Sequence, residues 1–167
     1  AAGGLEPMTD GRREADTDNP EGYYEWEPVK SFQEHPEATE QADGRVIKVV
    51  APLLASLPAR HRYKIVYMRR PLAQVAASQL RMLENSRHSA GADANELARV
   101  QQAHQDGLLA RLRNNPRCEL LEVSYPDLVA DPSATVERLL TFLGPERLPS
   151  REKMAASVRR DLFRNRG

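Results

Sequence analysis

Residues 63–78 read Tyr63-Lys64-Ile65-Val66-Tyr67-Met68-Arg69-Arg70-Pro71-Leu72-Ala73-Gln74-Val75-Ala76-Ala77-Ser78, and the hydrophobic period changes at the two arginines. Ile65 to Met68 is a short, apolar, β-favouring run of the kind found in buried strands. After Pro71, residues Leu72, Val75, Ala76, Leu80 and Leu83 return at helical spacing, which predicts a helix over 71–86 with proline in its first turn. A strand–turn–helix unit places its turn at the carboxyl edge of the sheet, where open α/β folds receive ligands. Arginine there presents a planar fork of donors that matches a phosphate, and the helix start adds backbone N–H groups. Ser78 lies eight residues beyond Arg70, about two turns along the helix. Taken alone, the same residues also fit a pair of surface arginines at a strand end.

A second stretch, Leu120-Leu121-Glu122-Val123-Ser124-Tyr125-Pro126-Asp127-Leu128-Val129-Ala130-Asp131-Pro132, reads as a strand from Cys118 running into a loop. A helix over 132–143 follows, with Val136, Leu139, Leu140 and Leu143 on one face. The two stretches together resemble sulfotransferases that use 3′-phosphoadenosine 5′-phosphosulfate. The resemblance extends to the bacterial branch of that family through Asp18-Asn19-Pro20-Glu21-Gly22-Tyr23-Tyr24-Glu25 and Leu162-Phe163-Arg164-Asn165-Arg166. It implies that Arg70, with Arg69 beside it, and Ser78 hold the 3′-phosphate of the co-substrate and that Tyr125 meets the adenine. The terminal Arg164 and Arg166 either join that phosphate or form a solvated tail.

Composition narrows the alternatives. The chain has 167 residues, enough for one domain with a real core. Its 24 basic and 24 acidic residues balance, so no global field draws it to nucleic acid or anionic lipid, and an anion site has to be local. Few aromatics argue against a base-stacking platform. No apolar run approaches the ~20 residues of a membrane span. The single cysteine, Cys118, opens an apolar strand and reads as a small buried hydrophobe, consistent with a reducing cytoplasm. His35, His61, His88 and His104 stand at no metal-ligand spacing, so no metal is expected.

The expected organisation is a single domain over 1–167. Residues 1–44 are largely loop, with an aromatic island at 23–29. A strand at 45–50, a short helical piece at 52–57 and the strand from Tyr63 follow. A long helix at 95–113, the strand from Cys118, the helix at 132–143 and a last helix within 150–160 complete the chain. Strands separated by helices imply parallel pairing and an α/β sheet. The resemblance implies more: a three-layer fold like that of phosphate-loop NTPases, with helices flanking a parallel sheet. It also implies a first strand and Gly-rich phosphate loop that are absent here, since Ala1-Ala2-Gly3-Gly4-Leu5 looks like the end of the helix after that loop. On that reading the chain is a piece of a sulfotransferase, expected to be inactive alone and to self-associate through an exposed sheet edge.

Sulfuryl transfer needs cations around the leaving phosphate and a base for the acceptor. Lys48, inside Val46-Ile47-Lys48-Val49-Val50, either reaches an anion or faces water from an edge strand. The resemblance sets Lys48 at the bridging oxygen and leaves Val50 where related enzymes carry histidine, so the base has to be a carboxylate. Glu25 is the first candidate, ahead of Glu27, which shares its side if the segment is extended. The plainer reading is that both glutamates are solvated while Tyr23, Tyr24 and Trp26 cover the sheet edge. The acceptor, a small molecule or a carbohydrate, is not specified by the chain. Two other readings are a kinase-like phosphate-loop protein, disfavoured by the missing Walker-type loop, and a non-catalytic helical interaction module.

Overall fold

Strands β1 (Tyr63–Arg69) and β2 (Cys118–Ser124) pair in parallel, with Tyr63 opposite Cys118 and Arg69 opposite Ser124. The computed structural model describes residues 1–16, 19–20, 22–70 and 94–160, the side chains of 94–98 excepted. The helix expected over 71–86, Ser78 within it, and the tail with Arg164 and Arg166 lie outside the described residues.

A helix covers each face of this pair. Helix α1 (Ala94–Arg113) buries Leu108, Leu109 and Leu112 against Tyr67, with Ile65, Cys118 and Leu120 packed alongside. Spacings of one and four place these leucines on one helical stripe. The next residue before Ile65 points the other way, as strand alternation requires: Lys64 donates to the carbonyl of Phe142 at 2.7 Å, in helix α3 (Pro132–Leu143). Val136 and Leu140 of α3 bury a second cluster with Leu148. The molecule is therefore of mixed α/β class, with two strands in its sheet among the described residues.

The strand expected at 45–50 does not form. Val46 makes one parallel bridge with Pro7, through Met8 N–H to the Val46 carbonyl at 2.7 Å and Val46 N–H to the Glu6 carbonyl at 3.4 Å. The pairing stops at this single bridge. Residues 51–56 instead form a single 3₁₀ stretch, Ala51–Ser56, close to the short helix predicted there.

The amino-terminal third is less loop-like than its composition suggests. Two 3₁₀ stretches, Glu27–Ser31 and Pro36–Ala42, each begin on a proline-containing turn. Trp26, Val29 and Phe32 are buried with Met8, the Trp26 and Phe32 rings meeting edge to face at 5.9 Å. The aromatic island thus builds a core of its own instead of covering a sheet edge, because Met8 and the apolar residues of 47–57 close over it.

Two loops also differ from expectation. The segment after β2 is a short helix α2 (Tyr125–Ala130), capped by the Ser124 hydroxyl, which accepts from the Asp127 N–H at 3.3 Å. The last helix is α4 (Arg151–Ala156), which starts where expected, with no side chain capping it, and ends at Ser157, earlier than the predicted span. Ala1 to Leu5 form a turn, with the Gly4 N–H bonded to the Ala1 carbonyl at 3.1 Å. A Cβ at Gly3 would meet the Met154 sulfur at 2.7 Å, so that glycine serves close packing on α4.

Candidate functional site

Each strand hands one side chain to the carboxyl edge of the sheet. Arg70 follows β1 and Tyr125 follows β2, and the parallel register brings them together: the Arg70 guanidinium carbon lies 4.2 Å from the centre of the Tyr125 ring. Arg70 is exposed and Tyr125 half-buried. A cation over an aromatic face is attracted by the ring quadrupole, so the stack places a planar donor fork beside an aromatic surface.

Arg69 takes a different place. Its Nη1 donates to Glu122 Oε2 at 3.1 Å, on the α1 face of the sheet. Arg113, from the last turn of α1, pairs with the other carboxylate oxygen of Glu122. The Glu122 carbonyl accepts from Arg138 Nη2 of α3 at 2.7 Å. Arg69 is thus engaged with a carboxylate, whereas Arg70 is stacked on a ring.

Lys48 and Glu25 meet around Tyr23. Lys48 Nζ donates to the Tyr23 carbonyl at 2.8 Å and lies 5.7 Å from its ring centre. On the same ring stacks Arg13, whose guanidinium carbon is 3.4 Å from the centre and whose Nη1 pairs with Glu25 at 3.4 Å. The Tyr23 hydroxyl donates to Asp16 at 2.6 Å, and this bond holds the phenol pKa above its ordinary value. Asp10 ties the loop down by accepting from the N–H groups of Arg12 and Glu27, while its own N–H donates to the Glu25 carbonyl. Tyr24, at φ 48°, is a non-glycine residue in the left-handed region, a strained conformation held within this loop. Glu27 pairs with Lys30 at 2.9 Å instead. Among the described residues no hydrogen bond or ion pair joins this cluster to Arg70 and Tyr125.

A cleft of about 280 Å³ opens elsewhere, among Leu57, Tyr63, Leu112 and Cys118. It sits at the strand starts, a strand length of roughly 20 Å from Arg70 and Tyr125, and its lining is mostly carbon. It does not coincide with the charged edge. Among the described residues no three His, Cys, Asp or Glu side chains form a metal-binding group. No helix among them is long and apolar enough to cross a membrane.

Against known proteins, the model of the sulfotransferase family matches residues 48–149, well over half of the chain. The chain belongs to the sulfotransferase family. Neither curated proteins nor solved structures give a match. The span shared with other sulfotransferases begins at Lys48 and takes in both strands, Arg69, Arg70, Ser78 and Tyr125; Glu25 lies outside it. Sequence reasoning missed two residues of this sulfotransferase: Glu122, a charge inside an apolar strand, and Arg13, in a polar loop. Glu122 left a signal, since an acidic residue between Leu121 and Val123 requires a partner when the strand is packed. Arg13 left none.

Proposed function

We propose that the protein transfers a sulfuryl group from 3′-phosphoadenosine 5′-phosphosulfate to a hydroxyl or amine of an acceptor. The observation that carries this reading is the Arg70–Tyr125 stack at the carboxyl ends of two parallel strands. A nucleotide offers a phosphate, which suits a guanidinium fork, and a base, which suits an aromatic surface. Both recognition elements stand where open α/β sheets take ligands. By family position Ser78 is the second partner of the 3′-phosphate.

In the transfer, sulfur bonds to the acceptor oxygen or nitrogen and its bond to the bridging phosphate oxygen breaks. The acceptor proton passes to a base. We assign that base to Glu25, whose carboxylate is held by Arg13, and we assign Lys48 to the charge on the departing phosphate. The thiol of Cys118 is half-buried and its pKa is raised by burial, which suits a protein working in the reducing cytoplasm.

Calorimetry with adenosine 3′,5′-bisphosphate and adenosine 5′-monophosphate tests the reading. The bisphosphate is expected to bind more tightly, and in a full-length version of the protein labelled sulfate is expected to reach an acceptor. Equal affinity for the two nucleotides, or none for either, refutes it.

A further inference from the structure

We propose that Glu122 is the positioning residue of this site, setting Arg70 over Tyr125 by holding Arg69 on the opposite face of the sheet. The inference rests on the nucleotide reading above for its consequence, though not for its geometry. Glu122 lies opposite Tyr67 in the ladder and Arg69 opposite Ser124, so their ion pair is a diagonal contact on one face, two residues out of register. Successive side chains of an extended chain take opposite faces. With Arg69 pinned at 3.1 Å on the α1 face, Arg70 turns to the other, where Tyr125 stands one residue past β2.

The other oxygen of Glu122 holds Arg113 and its carbonyl holds Arg138. One residue therefore ties β1, α1 and α3 to the end of β2. Its side chain keeps only 24% of its exposure, so these pairs are shielded from water more than ordinary surface pairs. Losing the carboxylate would leave Arg69 and Arg113 without their acceptor and release the end of β1. The chain as a whole is neutral. Around Glu122 and Tyr125 four arginines gather, Arg69 and Arg113 on the Glu122 carboxylate, Arg138 on its carbonyl and Arg70 on the Tyr125 ring.

NMR of the arginine Nε–H groups tests the positioning without any ligand. The Arg70 signal, assigned by its loss in Arg70→Lys, is expected to be displaced by the Tyr125 ring and to shift toward that of exposed arginines in Glu122→Gln. If it keeps its position in Glu122→Gln, the proposal is wrong. Should that variant fail to fold, Glu122→Asp is expected to give the same shift at smaller amplitude, and an unmoved signal there is equally fatal. In titrations, Glu122→Gln is expected to bind adenosine 3′,5′-bisphosphate about tenfold more weakly and adenosine 5′-monophosphate as before. It is expected to add nothing in an Arg70→Ala background. An equal loss for both nucleotides marks Glu122 as merely structural and overturns the proposal. If the signal shifts while the unsubstituted protein binds neither nucleotide, the positioning stands and the nucleotide reading fails.

Discussion

Glu25 is held but not buried: its side chain is 38% exposed and pairs with Arg13, while Glu27 two residues on pairs with Lys30. A base has to be reachable by the acceptor, and this exposure leaves Glu25 open to one. Glu25→Gln is therefore expected to lower turnover by about 10²–10⁴ with unchanged nucleotide affinity, and Glu27→Gln to do little. Steady-state kinetics beside calorimetry checks this; full activity in both variants moves the base elsewhere. At Arg70, replacement by alanine is expected to weaken bisphosphate binding by about 2–4 kcal/mol, with lysine restoring only part because it lacks the planar fork. That Arg70 and Tyr125 end apolar runs could be read from the chain; that they meet a nucleotide was implied by the family resemblance. Arg13 and Glu122 act on partners 12 and 53 residues away; the charge of Glu122 in an apolar strand signalled that it needs a partner, but nothing local named which one.

Among the elements, α3 has the clearest start. Asp131 accepts from the Ala134 N–H at 3.0 Å, and Pro132 follows in the first turn, where its missing N–H costs nothing. The same residue ends α2, its N–H bonded to the Asp127 carbonyl at 2.8 Å. Asp131→Ala is expected to cost about 1 kcal/mol in urea unfolding, and Ser150→Ala, at the uncapped start of α4, close to nothing. Equal effects would mean that the Asp131 cap is not what starts α3. At its other end α3 stops on Gly144 at φ 101°, a conformation that side chains rarely adopt. The failed strand at 45–50 marks the limit of local patterning. Val46 and Val50 remain 41% and 55% exposed, because a β-favouring run becomes a strand only along a partner strand, and this one meets a single bridge.

At the scale of the molecule, burial among the described residues is divided among three clusters: one around Trp26 and Phe32, one between Tyr67 and α1, one between α3 and Leu148. Two groups linked to these clusters make stability depend on pH in opposite directions. The N–H groups of Arg12 and then Glu27 hold the Asp10 carboxyl below its ordinary 3.8. Its contribution is fully present above about pH 4 and is lost as pH falls through the lower folded value. Asp10→Asn is expected to flatten that acid limb in denaturation followed between pH 2 and 5. Burial raises the Tyr67 phenol above 10.0, so its contribution is present below pH 10 and lost as pH rises. Tyr67→Phe is expected to reduce the alkaline loss, and an unchanged limb would place that loss in another group.

What depends on neighbours in the chain could be read from the chain. The strands beginning at Tyr63 and Cys118, the helix ending at Arg113 and the proline-led helix at 132 follow from hydrophobic period, turn chemistry and caps, all of which act within a few residues. The positions of Arg70 and Tyr125 at the strand ends were legible for the same reason, whereas the roles proposed for them came from the family resemblance. Which of two adjacent arginines stacks on tyrosine and which pairs with Glu122 was settled by the parallel register of β1 with β2 and by the side of the sheet that α1 covers. The meeting of Lys48, Arg13 and Glu25 around Tyr23 likewise required residues 10–27 to fold back on themselves. Electrostatic and packing energies depend on distance in space, and only the folded chain brings those groups within reach of one another.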